Sequence, residues 1–246
     1  MIDLTIAIVT NRDYKKFLKP TIDMIKSYPN PYKVKYEIIV FGPAKLFVDR
    51  RIDRFYEEIG DQGNLFGYNY LTWNAKGRNI AYLTDDMYFS DNFFEVSLFL
   101  DNLKSRRLKV AGFNCGPAEI NPFPYKKITE NVSFTSVSIS ELLYFVKYHY
   151  GPSYKTTIPM PRFLAAQKQS IMQYMQGYLF HPSLFHSAGD IYLSIWAWIH
   201  NQTIYEDIPV RISPRVVESY TQHRENDAKT VTYLINKLAL GNYFYI

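Results

Sequence analysis

Asp85 and Asp86 stand side by side just after a short apolar run, Ile80-Ala81-Tyr82-Leu83, with Thr84 between the run and the pair. The run has strand length, and Gly77 marks the turn before it. In open α/β sheets, ligands bind outside the carboxyl ends of the strands. Two carboxylates at such an end suit a hard divalent cation such as Mg2+ or Mn2+, which prefers oxygen ligands. The same pair can also begin a turn or cap the helix that follows, because Asp is a favoured cap. On this stretch alone both roles stay open.

The elements that would position the pair alternate in type. Leu4 to Thr10 reads as a buried strand that ends in the polar turn Thr10-Asn11-Arg12-Asp13. Phe17, Leu18, Ile22 and Ile25 repeat at helical spacing, and Pro29 and Pro31 stop that helix. Tyr36 to Phe41 predicts a second buried strand, broken by Gly42-Pro43. An amphipathic helix is expected over Leu46 to Ile59 and another over Asn64 to Ala75, before the strand that ends at Leu83. This alternation predicts an α/β fold with a mostly parallel central sheet flanked by helices.

After the pair, Phe93 to Leu103 reads as a helix and Leu108 to Phe113 as a strand. From Asn114 to Pro161 the rhythm breaks among several prolines. A helix is expected over Phe163 to Gln176, a short strand over Tyr178 to Phe180, and an aromatic-rich helix over Asp190 to His200. A strand within Ile204 to Ile212 and a helix over Ala228 to Leu240 complete the pattern. No repeat or linker interrupts the chain, so one domain is expected over residues 1–246. Its first half is 1–112 and its irregular half 113–246.

Hydrophobic residues make up 47% of the 246 residues and charged residues 21%, the balance of a globular protein and not a disordered one. Aromatic residues reach 17%, which fits a tyrosine-rich core and also surfaces that stack on sugars. The single Cys115 excludes an internal disulfide framework and a cysteine zinc cluster. No apolar run reaches the roughly 18 residues of a membrane span. The N-terminus lacks a signal-peptide pattern, so a cytoplasmic location is expected. The net charge of +5 favours anionic partners and leaves peripheral membrane contact open. The basic residues occur as scattered pairs, which argues against a nucleic-acid partner.

Read together, residues 1 to about 112 resemble the nucleotide-binding half of a GT-A fold glycosyltransferase of the family 2 type. That family has a first strand ending in a polar turn, then a stretch Asn-x-Gly-x-x-x-Ala-Arg-Asn, an Ala-x-Gly turn, and a strand ending in an Asp-rich DxD-like motif. Here the stretch reads Asp61-Gln62-Gly63-Asn64-Leu65-Phe66-Gly67-Tyr68-Asn69, followed by Ala75-Lys76-Gly77 and Asp85-Asp86. Two departures stand out. The second strand ends in Gly42-Pro43 where the family has an Asp that contacts the base, and Tyr68 replaces the family Arg. In the second half, Gly189-Asp190, followed by an apolar helix, resembles the acidic helix start that faces the acceptor.

The resemblance implies a transferase that moves a sugar from a nucleotide-diphosphate sugar, a UDP-sugar favoured, to a glycan or other hydroxyl acceptor. It implies that Mn2+ or Mg2+ is held by Asp86, with His223 completing the metal shell. Asp85 would meet the ribose or a metal-bound water, and Thr10, Asn11, Arg12 and Asn69 would bind the nucleotide-sugar. Asp190 would be the general base of an inverting reaction, although Asp at that position also serves as a helix cap. Competing readings are a sugar-phosphate nucleotidyltransferase and a non-enzymatic glycan- or nucleic-acid-binding protein. The first is weakened by the absence of glycine from Thr10-Asn11-Arg12-Asp13, where those enzymes carry a Gly-rich loop.

Overall fold

The computed structural model describes residues 1–11, 13–43, 49–60, 62–103, 109–112, 163–184, 189, 192–193, 196, 204–205, 209–210 and 212–214. Strand β1 (Ile2–Val9) leads through a π-helical turn (Tyr14–Leu18) into helix α1 (Lys19–Ser27). Strands β2 (Tyr36–Gly42) and β3 (Arg54–Glu57), helix α2 (Asn64–Asn74), and strands β4 (Gly77–Thr84) and β5 (Met87–Phe89) follow. Then come α3 (Glu95–Asn102), β6 (Val110–Gly112), β7 (Phe163–Gln167), α4 (Lys168–Tyr174), β8 (Ile204–Tyr205) and β9 (Ile212–Pro214).

Among the described residues the main sheet has the order β3-β2-β1-β4-β7-β6-β8. β1 pairs in parallel with both β2 and β4, β2 with β3, and β6 with β8. Only β7 runs against its neighbours β4 and β6. A separate antiparallel pair joins β5 to β9. The architecture is therefore the mostly parallel α/β sheet that the alternation of elements predicts.

Both faces of the sheet are covered, which is why its strands read as continuous apolar runs and do not alternate. Ala7, Val9, Ile39, Phe41, Ile80 and Tyr82 face α2 and α4, where Leu65, Tyr68, Leu71 and Ile171 complete one core. Leu4, Ile6, Ile8, Ile38, Val40 and Leu83 face the other way, toward Leu18 of the π-helical turn, Ile22 and Ile25 of α1, and Val96 and Leu100 of α3. Each fully buried aliphatic side chain there stabilises the fold by about 1.5–3 kcal/mol. A polar network pins the amino edge of the sheet. Glu37 accepts from Thr5 Oγ1 at 2.7 Å, from the Lys76 N–H at 2.6 Å and from Arg54 Nη2 at 2.7 Å. Burial pushes the Glu37 carboxyl up, but these donors together hold it below its ordinary value. Gly77 closes the turn before β4, where a Cβ would lie 2.4 Å from the Thr5 nitrogen.

Three local expectations change. The C-terminal part of the expected Leu46–Ile59 helix is strand β3, in register with β2 from Ile39↔Arg54 to Gly42↔Glu57. Phe55 and Tyr56 favour a pleated surface, and the strand lets Arg54 reach Glu37. The first part of the expected Phe163–Gln176 helix is strand β7, and helix begins only at Lys168. Ala165 and Ala166 are buried in opposite cores, so their apolar run carries no period that separates strand from helix. Tyr178 to Phe180 forms no ladder, because an asparagine side chain takes the Phe180 backbone instead. The expected elements in 114–161 and 228–240 lie outside the described residues.

Candidate functional site

From β1 the chain moves outward to β2 and β3, then returns to place β4 on the other flank of β1. Strand order reverses between β1 and β4, and such a switch point is where open α/β sheets open a ligand crevice. The two strands are in register up to Val9↔Thr84, so Thr10 and Asp85 are the next residues on each side of it. Thr10 Oγ1 donates to Asp85 Oδ2 across the gap. Thr84 Oγ1 donates to Asp86 Oδ1 at 2.7 Å. Thr21, from α1, donates to the Asp85 main-chain oxygen at 3.1 Å.

Asp85 and Asp86 are each 3% exposed. Adjacent buried carboxylates are costly unless donors or a cation balance them. The threonine hydroxyls supply part of that balance. Their oxygens are hard donors of the kind Mg2+ and Mn2+ take, so the pair fits a divalent cation as part of a ligand set. Among the described residues no three His, Cys, Asp or Glu side chains are grouped to hold a metal ion. The rest of a coordination shell would therefore come from other residues, water or a phosphate.

Asn11 is half-buried at the same edge, directly after Thr10. Arg12, Asp190 and His223 lie outside the described residues. Gly189, next to Asp190 in sequence, is described and buried. A Cβ on it would lie 2.7 Å from the Phe180 ring and 2.9 Å from Leu65 Cδ2, in the first turn of α2.

Asn69 sits inside α2, 2% exposed, and both ends of its amide are engaged. Nδ2 donates to the Phe180 oxygen at 2.7 Å, and Oδ1 accepts from the Phe180 N–H at 3.0 Å. The expectation places this side chain on the nucleotide; the structure gives it a main-chain partner. Tyr68, at the family Arg position, is core: its hydroxyl donates to the Leu83 oxygen at 3.1 Å and its ring meets Tyr82 edge-on. His181 follows Phe180 and is also buried, with its ring against Tyr192. Burial pushes its imidazole down from the ordinary value.

Sequence reasoning did not single out Glu58 or Thr21. Glu58 extends the β2–β3 pairing, its N–H donating to the Gly42 oxygen at 2.8 Å. Its Oε1 accepts from the N–H groups of Gln62 and Gly63, both at 3.1 Å, at the start of α2. A carboxylate there satisfies donors that no helical carbonyl reaches and suits the helix dipole. The residue after β3, bonded through its main chain to Gly42, thus brings an acidic side chain to the start of α2. The signal was a Glu shortly before a glycine-flanked helix start. Thr21 carried no signal, because only the fold brings it to Asp85.

No helix among the described residues is long and apolar enough to cross a membrane. The sheet order and the edge that carries the carboxylate pair define a GT-A type fold, as the sequence resemblance implies. Solved structures share it. The chain superposes on S. aureus TarS 1-349 in complex with UDP-GlcNAc with a TM-score of 0.59, at 14% identity, covering 100% of this chain and 68% of that one. It superposes on the mannosyltransferase PcManGT from Pyrobaculum calidifontis, in complex with GDP-Man and Mn2+, with a TM-score of 0.58 at 12% identity, covering 94% and 63%. A third is glucosyl-3-phosphoglycerate synthase from Mycobacterium tuberculosis in complex with Mn2+, UDP-Glc and phosphoglyceric acid, with a TM-score of 0.57, 11% identity and coverage of 98% and 80%. At these identities the likeness is one of fold. No family model and no curated protein matches the sequence.

Proposed function

We propose that this chain is a glycosyltransferase that moves a sugar from a nucleotide-diphosphate sugar, a UDP-sugar favoured, to the hydroxyl of a glycan or other acceptor. The observation that carries the reading is the carboxylate pair Asp85–Asp86 at the β1–β4 switch point, with Thr10 bonded to it from the opposing strand. Likeness in fold to structures that hold UDP-GlcNAc, GDP-Man with Mn2+, and UDP-Glc with Mn2+ supports it.

In this reading Asp86 would hold Mn2+ or Mg2+, with His223 as a further ligand, and Asp85 would face the ribose or a metal-bound water. A divalent cation bound there would stabilise the charge that grows on the departing diphosphate. Thr10, Asn11 and Arg12 would meet the base and ribose. Asp190 accepts the proton of the acceptor hydroxyl as that oxygen bonds to the anomeric carbon and the bond to the diphosphate oxygen breaks. Attack from the face opposite the leaving group inverts the anomeric centre.

The test is thermal stabilisation by UDP, GDP and dTDP with and without Mn2+. Saturable stabilisation by one nucleotide that needs the metal is expected. Binding only to polyanions, weakening steeply with salt, would favour the non-enzymatic binding protein instead.

A further inference from the structure

Thr21 is fully buried in the first turns of α1, directly after Pro20. The fixed φ of proline near a helix start sets the entry of the chain and so the place of Thr21. Its hydroxyl has one proton and two carbonyl oxygens in reach, Phe17 at 3.2 Å and Asp85 at 3.1 Å. The first is the ordinary local bond of a threonine to the helix turn behind it. The second joins α1 to the end of β4. The Asp85 carbonyl belongs to the peptide between Asp85 and Asp86, so its direction also sets where the Asp86 backbone points. Thr10, the residue after β1, holds the Asp85 carboxylate. Asp85 is thus tied at its side chain and at its main chain by threonines from two different elements.

We propose that Thr21 is a positioning residue for the carboxylate pair: its hydroxyl fixes the Asp85–Asp86 peptide, and with it the angle at which Asp86 meets a divalent cation and a nucleotide. This rests on the nucleotide-sugar reading above. A purely structural Thr21, satisfying only the Phe17 carbonyl, would alter stability and leave affinity alone.

The experiment is calorimetric titration of the full chain with UDP, with and without Mn2+, for the unaltered protein, Thr21→Val and Thr21→Ser, with melting temperatures alongside. Valine keeps the branched shape and removes the hydroxyl; serine keeps the hydroxyl. The expected result is Mn2+-dependent UDP affinity about tenfold weaker in Thr21→Val, the scale of one lost buried hydrogen bond, and restored in Thr21→Ser. Unchanged affinity in Thr21→Val would overturn the proposal, whatever its melting temperature. Should Thr21→Val fail to fold, Thr21→Ser against Thr21→Ala decides, since both lose the methyl and only serine keeps the hydroxyl. Equal affinity in that pair overturns the proposal; a weaker alanine variant supports it. No binding of UDP, GDP or dTDP by the unaltered chain with Mn2+ would instead remove the nucleotide-sugar reading, and this inference with it.

Discussion

Replacing Asn69 by Ala removes an amide that closes two hydrogen bonds on one residue, at 2.7 Å and 3.0 Å to the main chain of Phe180. Asn69 and Phe180 are both 2% exposed, so water does not readily replace the lost partner. Each buried backbone group left unpaired costs about 1–3 kcal/mol, and two are affected. A loss of about 3 kcal/mol is expected. For a domain of this size each kcal/mol moves Tm by about 2–4 °C, so Tm should fall by roughly 6–12 °C. The Phe180 ring backs Gly189, which precedes Asp190, so sugar transfer should fall more than nucleotide binding. Thermal melts and calorimetry with UDP and Mn2+ on the one variant measure both. Intact stability with lost UDP affinity would refute the reasoning: Asn69 would then contact the nucleotide directly, as the sequence resemblance implies.

Three further outcomes follow from the same account. Asp86→Ala should abolish Mn2+-dependent UDP binding with a cooperative melt retained, because the residue sits beyond the strand end; equal affinity by calorimetry would remove its metal role. Asp190→Asn should spare donor binding and slow transfer by about 10²–10⁴-fold, as for a lost general base, whereas a cap-only Asp190 would lower stability by about 1 kcal/mol with turnover intact. Glu37 has its carboxyl held below the ordinary value. Its contribution is therefore full above the unfolded glutamate value, about pH 4.3, and is lost as pH falls through the lower folded value. Glu37→Gln should flatten that acid limb of a Tm-against-pH curve; an unchanged limb would assign it to other carboxylates.

The central sheet was legible because its strands are buried on both faces and read as apolar runs bounded by Gly, Pro and polar turns. Leu4 to Thr10, Tyr36 to Phe41 and Ile80 to Leu83 became β1, β2 and β4 for that reason. β3 and β7 were not legible. Arg54 to Glu57 is a short segment whose apolar residues suit either period, and Phe163 to Gln167 is an alanine-containing run without one. The carboxylate pair was visible as composition at a strand end, but the hydroxyls that hold it were not. Thr10 appeared as a nucleotide contact, and the structure shows it bonded to Asp85. Thr21 and Glu58 meet their partners only through tertiary packing, and no local pattern encodes such a meeting. Asn69 lay in a family motif, and its place in the sequence could not reveal that Phe180 would take both ends of its amide.

The most direct measurement is release of nucleoside diphosphate from a panel of UDP-, GDP- and dTDP-sugars by the purified chain, with Mn2+, with Mg2+ and with chelator. Slow hydrolysis of one donor class, a UDP-sugar first, that requires the metal and disappears in Asp86→Ala is the predicted result. No donor turned over under any metal condition, with no nucleotide bound, would contradict the assignment of this site to sugar transfer.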